Sequence, residues 1–256
     1  MELYDEIRKS AMTIARSAGD VQMKYFRQAG LDVAVKLNEA DIVTEADKAS
    51  ERIILDGISS RYSGHAVLSE ESGVIDGDAE WRWIVDPLDG TTNFAQGLKI
   101  FSVSIAVEHR GEVVVGVVYA PAMDEMFCAV KGRGATLNGM PVSASVKSRL
   151  DRCVVSTGFP VDRADNPVNN YDNVLRVLPL VRGLRRLGSA AVDLCYTAAG
   201  YLDAYWEMNL HEWDIAAGRL IAQEAGVTVS EFRNDRNLSI LAAPPAIHAL
   251  LNPLIR

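Results

Sequence analysis

The chain has 256 residues, 48% of them hydrophobic, which is ordinary for a folded protein and enough to bury a sizeable core. A net charge of −8 leaves no large basic surface to attract a polyanion, which argues against nucleic acid as the main partner. Three widely spaced cysteines (Cys128, Cys153, Cys195) without a CxxC pair read as reduced thiols of a cytoplasmic protein, and neither a signal peptide nor a membrane span is expected from the charged N-terminus and short apolar runs.

Apolar residues recur at helical spacing through Leu3, Ile7, Ala11, Ile14, Ala18, Val21 and Tyr25, which predicts an amphipathic helix ended by Gly30. A short strand, VAVKL, follows, and Thr44 and Asp47 then stand at capping-box spacing before a helix carrying Ile53, Ile54 and Ile58. The runs AVLS, WRWIV, FSVSIAVE, EVVVGVVYA and EMFCAV, with turns at Arg110-Gly111 and Pro121 to Asp124, predict a mostly antiparallel sheet. Asn138-Gly139 marks a hairpin turn.

From Cys153 onward strands and helices alternate. The reading is strand CVVST, a helix from Tyr171 to Val181, strand GLRRL and a helix from Ser189 to Ala199. Strand LDAYWEM, a helix from Asp214 to Ala225, strands VTVS and LSILAA and a helix after Pro244 complete it. No linker-like tract intervenes, so one unit over 1–256 is expected, of α/β (α+β) class, with two sheets layered with helices.

The segment WIVDPLDGTTNF concentrates the chemistry. Its strand ends at Asp86, where sheets present groups to a crevice. Pro87 fixes one φ and Gly90 permits a tight path, so Asp86, the Leu88 carbonyl and Asp89 can converge as hard oxygen ligands of the kind Mg²⁺ takes. Gly90, Thr91 and Thr92 then open a helix whose free amides point at an anion. Taken alone, such a segment is more often a turn with an Asp capping a helix. A calcium loop does not fit, because Leu88 stands where a ligand is needed, and the extra residue between the aspartates weakens an aspartyl-phosphate mechanism.

Three more acidic positions have equally plain readings when taken singly. Glu70-Glu71 after a strand can be a solvated turn, Asp214 a helix-start acid and Asp47 a capping-box member. Together, Asp41 to Asp47, Glu70-Glu71, Asp86 to Thr92 and Trp213 to Gly218 resemble, in order and spacing, the inositol monophosphatase family of lithium-sensitive phosphatases. The resemblance spans nearly the whole chain and includes Arg185 to Glu207, similar to the family's substrate-side segment.

That resemblance implies an αβαβα layered fold, two or three Mg²⁺ per site, a homodimer and a small phosphorylated metabolite as substrate. It implies Glu70, Asp86 and the Leu88 carbonyl at one metal, with Asp86, Asp89 and Asp214 at a second. Glu70 reaches a third metal through water, and Asp47 and Thr91 orient the attacking water. On the substrate side it implies Asp89, Gly90, Thr91, Thr92, Arg185, Gly188, Ala190, Glu207 and Asp214. Inositol 1-phosphate is the expected substrate, with fructose 1,6-bisphosphate or histidinol phosphate as alternatives at the same site. A catalytically weak binding or regulatory relative is the non-enzyme alternative.

The remaining conspicuous residues take plain roles. His65, His109, His211 and His248 lack ligand spacing, and Trp81, Trp83, Trp206 and Trp213 read as packing anchors. Two departures from the family pattern lie away from the metal residues: Gly226-Val227 where a Gly-Gly pair is common, and the short stretch SEFRNDRNLS.

Overall fold

A computed structural model describes residues 2–28, 33–35 and 42–256. Gly30, Asp41 and the Lys36-Leu37 end of the first expected strand lie outside these residues.

In chain order the elements begin with α1 (Glu2–Tyr25), β1 (Val33–Val35), β2 (Ile42–Thr44), α2 (Glu45–Arg61), β3 (His65–Ser69), β4 (Gly73–Ile75), β5 (Asp78–Asp89) and α3 (Thr91–Ala95). Then come β6 (Ser102–His109), β7 (Glu112–Ala120), β8 (Glu125–Val130), β9 (Ala135–Leu137), β10 (Met140–Val142), β11 (Val154–Thr157) and α4 (Tyr171–Val177). The chain closes with β12 (Gly183–Arg185), α5 (Ala190–Ala198), β13 (Ala204–Leu210), α6 (Glu212–Glu224), β14 (Thr228–Glu231), β15 (Leu238–Ala243) and α7 (Pro245–Leu251).

An eight-stranded sheet runs β10-β9-β8-β7-β6-β5-β3-β4 and is antiparallel except where β3 lies parallel to β5. A five-stranded sheet runs β12-β11-β13-β15-β14, with β11 parallel to both its neighbours.

Alternation along the strands builds the layers. On one face of the large sheet, Trp83, Val85, Val103, Ile105 and Val117 pack with Ile7, Ile14, Ile54 and Ile58 of α1 and α2. The residues between them, Ile84, Ala106 and Val118, pack with Leu194, Cys195, Ile215 and Ile221 of α5 and α6. The same two helices receive Tyr205, Ile240 and Ala242 from the small sheet, whose opposite face sets Trp206, Leu241 and Ala243 against Val177 of α4 and Ile247 and Leu251 of α7. The order α1α2, sheet, α5α6, sheet, α4α7 is the expected αβαβα stack, produced by period-2 strands apolar on both faces. Gly218 lets the middle helices touch: a Cβ there would lie 2.9 Å from Leu194 Cβ.

Three expectations change in detail. The helix from Tyr171 stops at Val177 and continues as a 3-10 turn through Leu178–Leu180, because Pro179 offers no N–H to an α-helix. The strand expected over GLRRL ends at Arg185, ahead of Gly188 with φ +88°. Leu3, counted in the buried stripe of α1, is 49% exposed. The Asn138-Gly139 turn joins β9 to β10 as expected, both residues holding positive φ.

Candidate active site

Strand β5 does not stop at Asp86. It pairs with β6 through Asp86 opposite Ser104 and Asp89 opposite Ser102, so three steps on one strand match two on the other. One extra residue reverses the pleat alternation. Asp86 and Asp89, which a regular strand would send to opposite faces, therefore share the face covered by α5 and α6. Pro87 occupies the bulge, where its missing N–H costs no ladder bond. Its carbonyl is held from behind by Gln22 Nε2 of α1 at 2.6 Å and Ser50 Oγ of α2 at 2.7 Å.

Glu70 joins this pair through strand register. Leu68 lies beside Ile84 and Ser69 beside Val85, and the Glu70 N–H donates to the Val85 carbonyl at 3.1 Å, which sets Glu70 next to Asp86. Asp86 is 2% exposed and accepts the Leu88 N–H at 2.9 Å. Gly90, with φ +91°, turns the chain into α3, and Thr91 Oγ1 there lies 3.1 Å from both the Leu88 carbonyl and Asp47 Oδ1. The other oxygen of Asp47 completes the predicted capping box, accepting the Thr44 N–H at 2.8 Å and hydroxyl at 2.5 Å.

Two helix starts supply the far side. Asp89 accepts the Ala190 N–H at 3.2 Å, the Ala191 N–H at 2.9 Å and the hydroxyl of Ser189, the N-cap of α5. Asp214, in the first turn of α6, accepts the His211 N–H at 2.6 Å. On β13, Glu207 accepts the Tyr205 hydroxyl at 2.6 Å and fills the space a side chain at Gly158 would need.

Glu70, Asp89, Gly188, Ala190, Glu207 and Asp214 line one cleft of about 590 Å³, with Asp86 and Leu88 buried behind it. Arg185 does not line it. Its exposed side chain turns back to the Leu184 carbonyl where β12 ends, and the next residue, Arg186, lines the cleft instead. The Thr92 side chain is exposed, so any role for it at the site is a main-chain one. Trp213 is more than a packing anchor: it stacks on His211 at 4.7 Å, and both wall the cleft. Sequence reading also missed the Phe159 to Val161 wall, which sits in a loop with no periodic signal. Ser189 was legible, as the first residue of a predicted helix.

The electrostatics are those of an anion cluster. Burial raises the Asp86 carboxyl well above its usual range, and the neighbouring charges of Glu70, Asp89 and Asp214 raise it further. Burial likewise raises Asp89 against the opposing hydrogen bond from Ser189. Burial also pushes Glu207 up to about 7, against the Tyr205 hydroxyl and the Arg186 charge. Carboxylates gathered this way are costly without a cation. Among the described residues, no three His, Cys, Asp or Glu side chains are already drawn into a metal cage, and Asp89 and Asp214 spend oxygens on protein donors. The donor set, carboxylate oxygens plus a carbonyl, nevertheless fits a hard divalent ion that keeps several waters.

Comparison with known proteins finds relatives over nearly the whole chain. The sequence model of the Inositol monophosphatase family matches residues 3–256. The chain is 41% identical over 251 residues to the Nus factor SuhB of Pasteurella multocida, covering 95% of this chain and 94% of that protein. It is 41% identical over 231 residues to the inositol-1-monophosphatase of Mesorhizobium japonicum, covering 90% and 84%. Among solved structures it superposes on the extragenic suppressor protein suhB of Bartonella henselae with a TM-score of 0.91 at 38% identity, over 97% of this chain and 98% of that one.

Proposed function

Because the chain belongs to the inositol monophosphatase family, we propose that it is a Mg²⁺-dependent hydrolase of small phosphate monoesters, acting first on inositol 1-phosphate. The observation that carries this reading is the convergence of Glu70, Asp86, Asp89 and Asp214, from three separate segments, at one cleft beside the Asp47–Thr91 pair.

Glu70, Asp86 and the Leu88 carbonyl would hold one ion, Asp86, Asp89 and Asp214 a second, and Glu70 would also serve a third. When bound, Mg²⁺ neutralises phosphate charge and eases deprotonation of the attacking water. The chain's own groups do the positioning. Thr91 Oγ1, shared between Asp47 Oδ1 and the Leu88 carbonyl, orients the water, and the amides of Gly90 and Thr91 receive the phosphate. Gly188, Ala190, Glu207 and Arg186 contact the alcohol portion. Ala190 does so through its surface, since its N–H is directed at Asp89. Lithium inhibition, homodimer assembly and a cytoplasmic location belong to the same reading and rest on family membership.

A second reading is favoured by the name Nus factor carried by the Pasteurella relative: a regulatory protein that binds a partner and turns over slowly. Phosphate release from inositol 1-phosphate, fructose 1,6-bisphosphate, histidinol phosphate and glycerol 2-phosphate, with Mg²⁺, with chelator and with Li⁺, separates the two. The highest kcat/KM is expected on inositol 1-phosphate, abolished by chelator. Robust turnover in excess chelator overturns metal dependence, a higher kcat/KM on another ester reassigns the substrate, and no release from any ester favours the regulatory reading. Sedimentation as a monomer at working concentration overturns the dimer.

A further inference from the structure

The shortened stretch between β14 and β15, residues 232–237, faces the loop that follows β11. Arg236 reaches across: its Nη2 donates to both oxygens of Asp162 at 2.7 and 2.8 Å, and its Nη1 to the Val168 carbonyl. Asn166 Nδ2 donates to the same carboxylate at 3.0 Å. The Arg236 side chain is only 10% exposed. Solitary surface ion pairs hold little, but a forked guanidinium with a carboxylate and a carbonyl on it is a directional tie. It spans 74 residues of sequence.

What it ties together is the cleft. Phe159, Pro160 and Val161 of one loop and Asn237 of the other line the cavity that also holds Glu70, Asp89 and Asp214. The loop bearing Phe159 is fixed at its far end by buried Asn170, which donates to Thr157 Oγ1 at 2.8 Å and to the Gly158 carbonyl at 2.6 Å. Arg236 holds the stretch between.

From this geometry we infer that Asp162 and Arg236 are a positioning pair that fixes the cleft wall facing the alcohol, selecting phosphate monoesters with an extended alcohol portion over those with a short one. The inference rests on the phosphatase reading above and deepens it. Neither residue touches the carboxylate cluster, so loosening the clasp changes how a long alcohol is held while leaving the phosphate end in place.

The test compares wild type with Arg236→Ala, Asp162→Asn and Arg236→Lys on glycerol 2-phosphate, inositol 1-phosphate and fructose 1,6-bisphosphate in Mg²⁺, together with hydrogen exchange across residues 159–169. In the first two variants KM is expected to rise about tenfold for the longest ester that wild type hydrolyses, with kcat within about twofold and glycerol 2-phosphate unaffected. Arg236→Lys, which keeps the charge and loses the fork, falls between. Exchange in the loop accelerates. An equal KM change on every ester, or none, overturns the inference. If wild type releases phosphate from no ester, the phosphatase reading fails, and exchange then decides the clasp alone: faster exchange in Arg236→Ala supports it, and unchanged exchange overturns it.

Discussion

The carboxylate of Asp89 caps a helix whose N-cap, Ser189, lies 100 residues later, accepting the hydroxyl of Ser189 and the N–H of Ala191 at 2.9 Å. A proposed metal ligand is thus also the joint between the bulged strand β5 and α5. Asp89→Asn keeps the size but replaces one acceptor oxygen with an NH₂ group facing donors, and it removes the negative charge of the ligand altogether. Turnover is expected to fall at least about 100-fold at low Mg²⁺, with faster hydrogen exchange at the amides of 190–192. Near-normal turnover at low Mg²⁺ removes Asp89 from the ligand set.

Asp47 divides its two oxygens between jobs. Oδ2 takes the Thr44 N–H and hydroxyl, and Oδ1 lies 3.1 Å from Thr91 Oγ1. Thr91→Ala deletes the hydroxyl that stands between Asp47 and the Leu88 carbonyl, while Thr91→Ser keeps it. Loss of about 100-fold in kcat with KM nearly constant is expected for the alanine variant, and near-wild-type kcat for serine. A change confined to KM means that Thr91 binds substrate without orienting the water.

The same division couples helix stability to the site. Thr44→Ala removes the cap of α2 and should cost about 1 to 2 kcal/mol in urea unfolding. It also takes one of two donors from Asp47 Oδ2, leaving only the backbone N–H of residue 44 there, so kcat should fall several-fold in a protein that is still folded, and Thr44→Ser should restore both. Lost stability with kcat intact shows that the Asp47 carboxylate keeps its aim without Thr44.

How far this was legible in sequence depends on the range of each signal. The Thr44–Asp47 box and the change from meander to alternating strands and helices are local patterns, and both read correctly. The convergence of Asp86 and Asp89 was read from Pro87 and Gly90, but the bulge that brings them to one face was not legible, because a bulge is defined by its partner strand and β6 lies beyond α3. Arg186 was missed for Arg185 for a related reason: which of two adjacent side chains faces the cleft depends on where β12 ends. The three-residue strands β4, β9 and β10 are too short to show a period. Pro179, by contrast, was a local stop signal in plain view, and the helix expected to run through it ends where its chemistry requires.

Asp193 offers a test free of the metal question. It lies in the first turn of α5, 1% exposed, with Oδ1 lacking any hydrogen-bond partner and Ser156 supplying its main polar contact. Burial raises its carboxyl well above the ordinary 3.8, with the charges of Glu207 and Asp89 acting in the same direction. The sign follows: above 3.8 the unfolded chain sheds this proton while the folded chain keeps it. Folding then takes up a proton, and stability falls as pH rises, by up to about 1.4 kcal/mol per pH unit until the folded group ionises as well. Asp193→Asn mimics the protonated acid and has nothing to titrate. Urea unfolding in chelator between about pH 5 and 8 should therefore show the variant gaining on wild type as pH rises, and a stability difference that stays flat across that range means Asp193 is ionised in the folded protein.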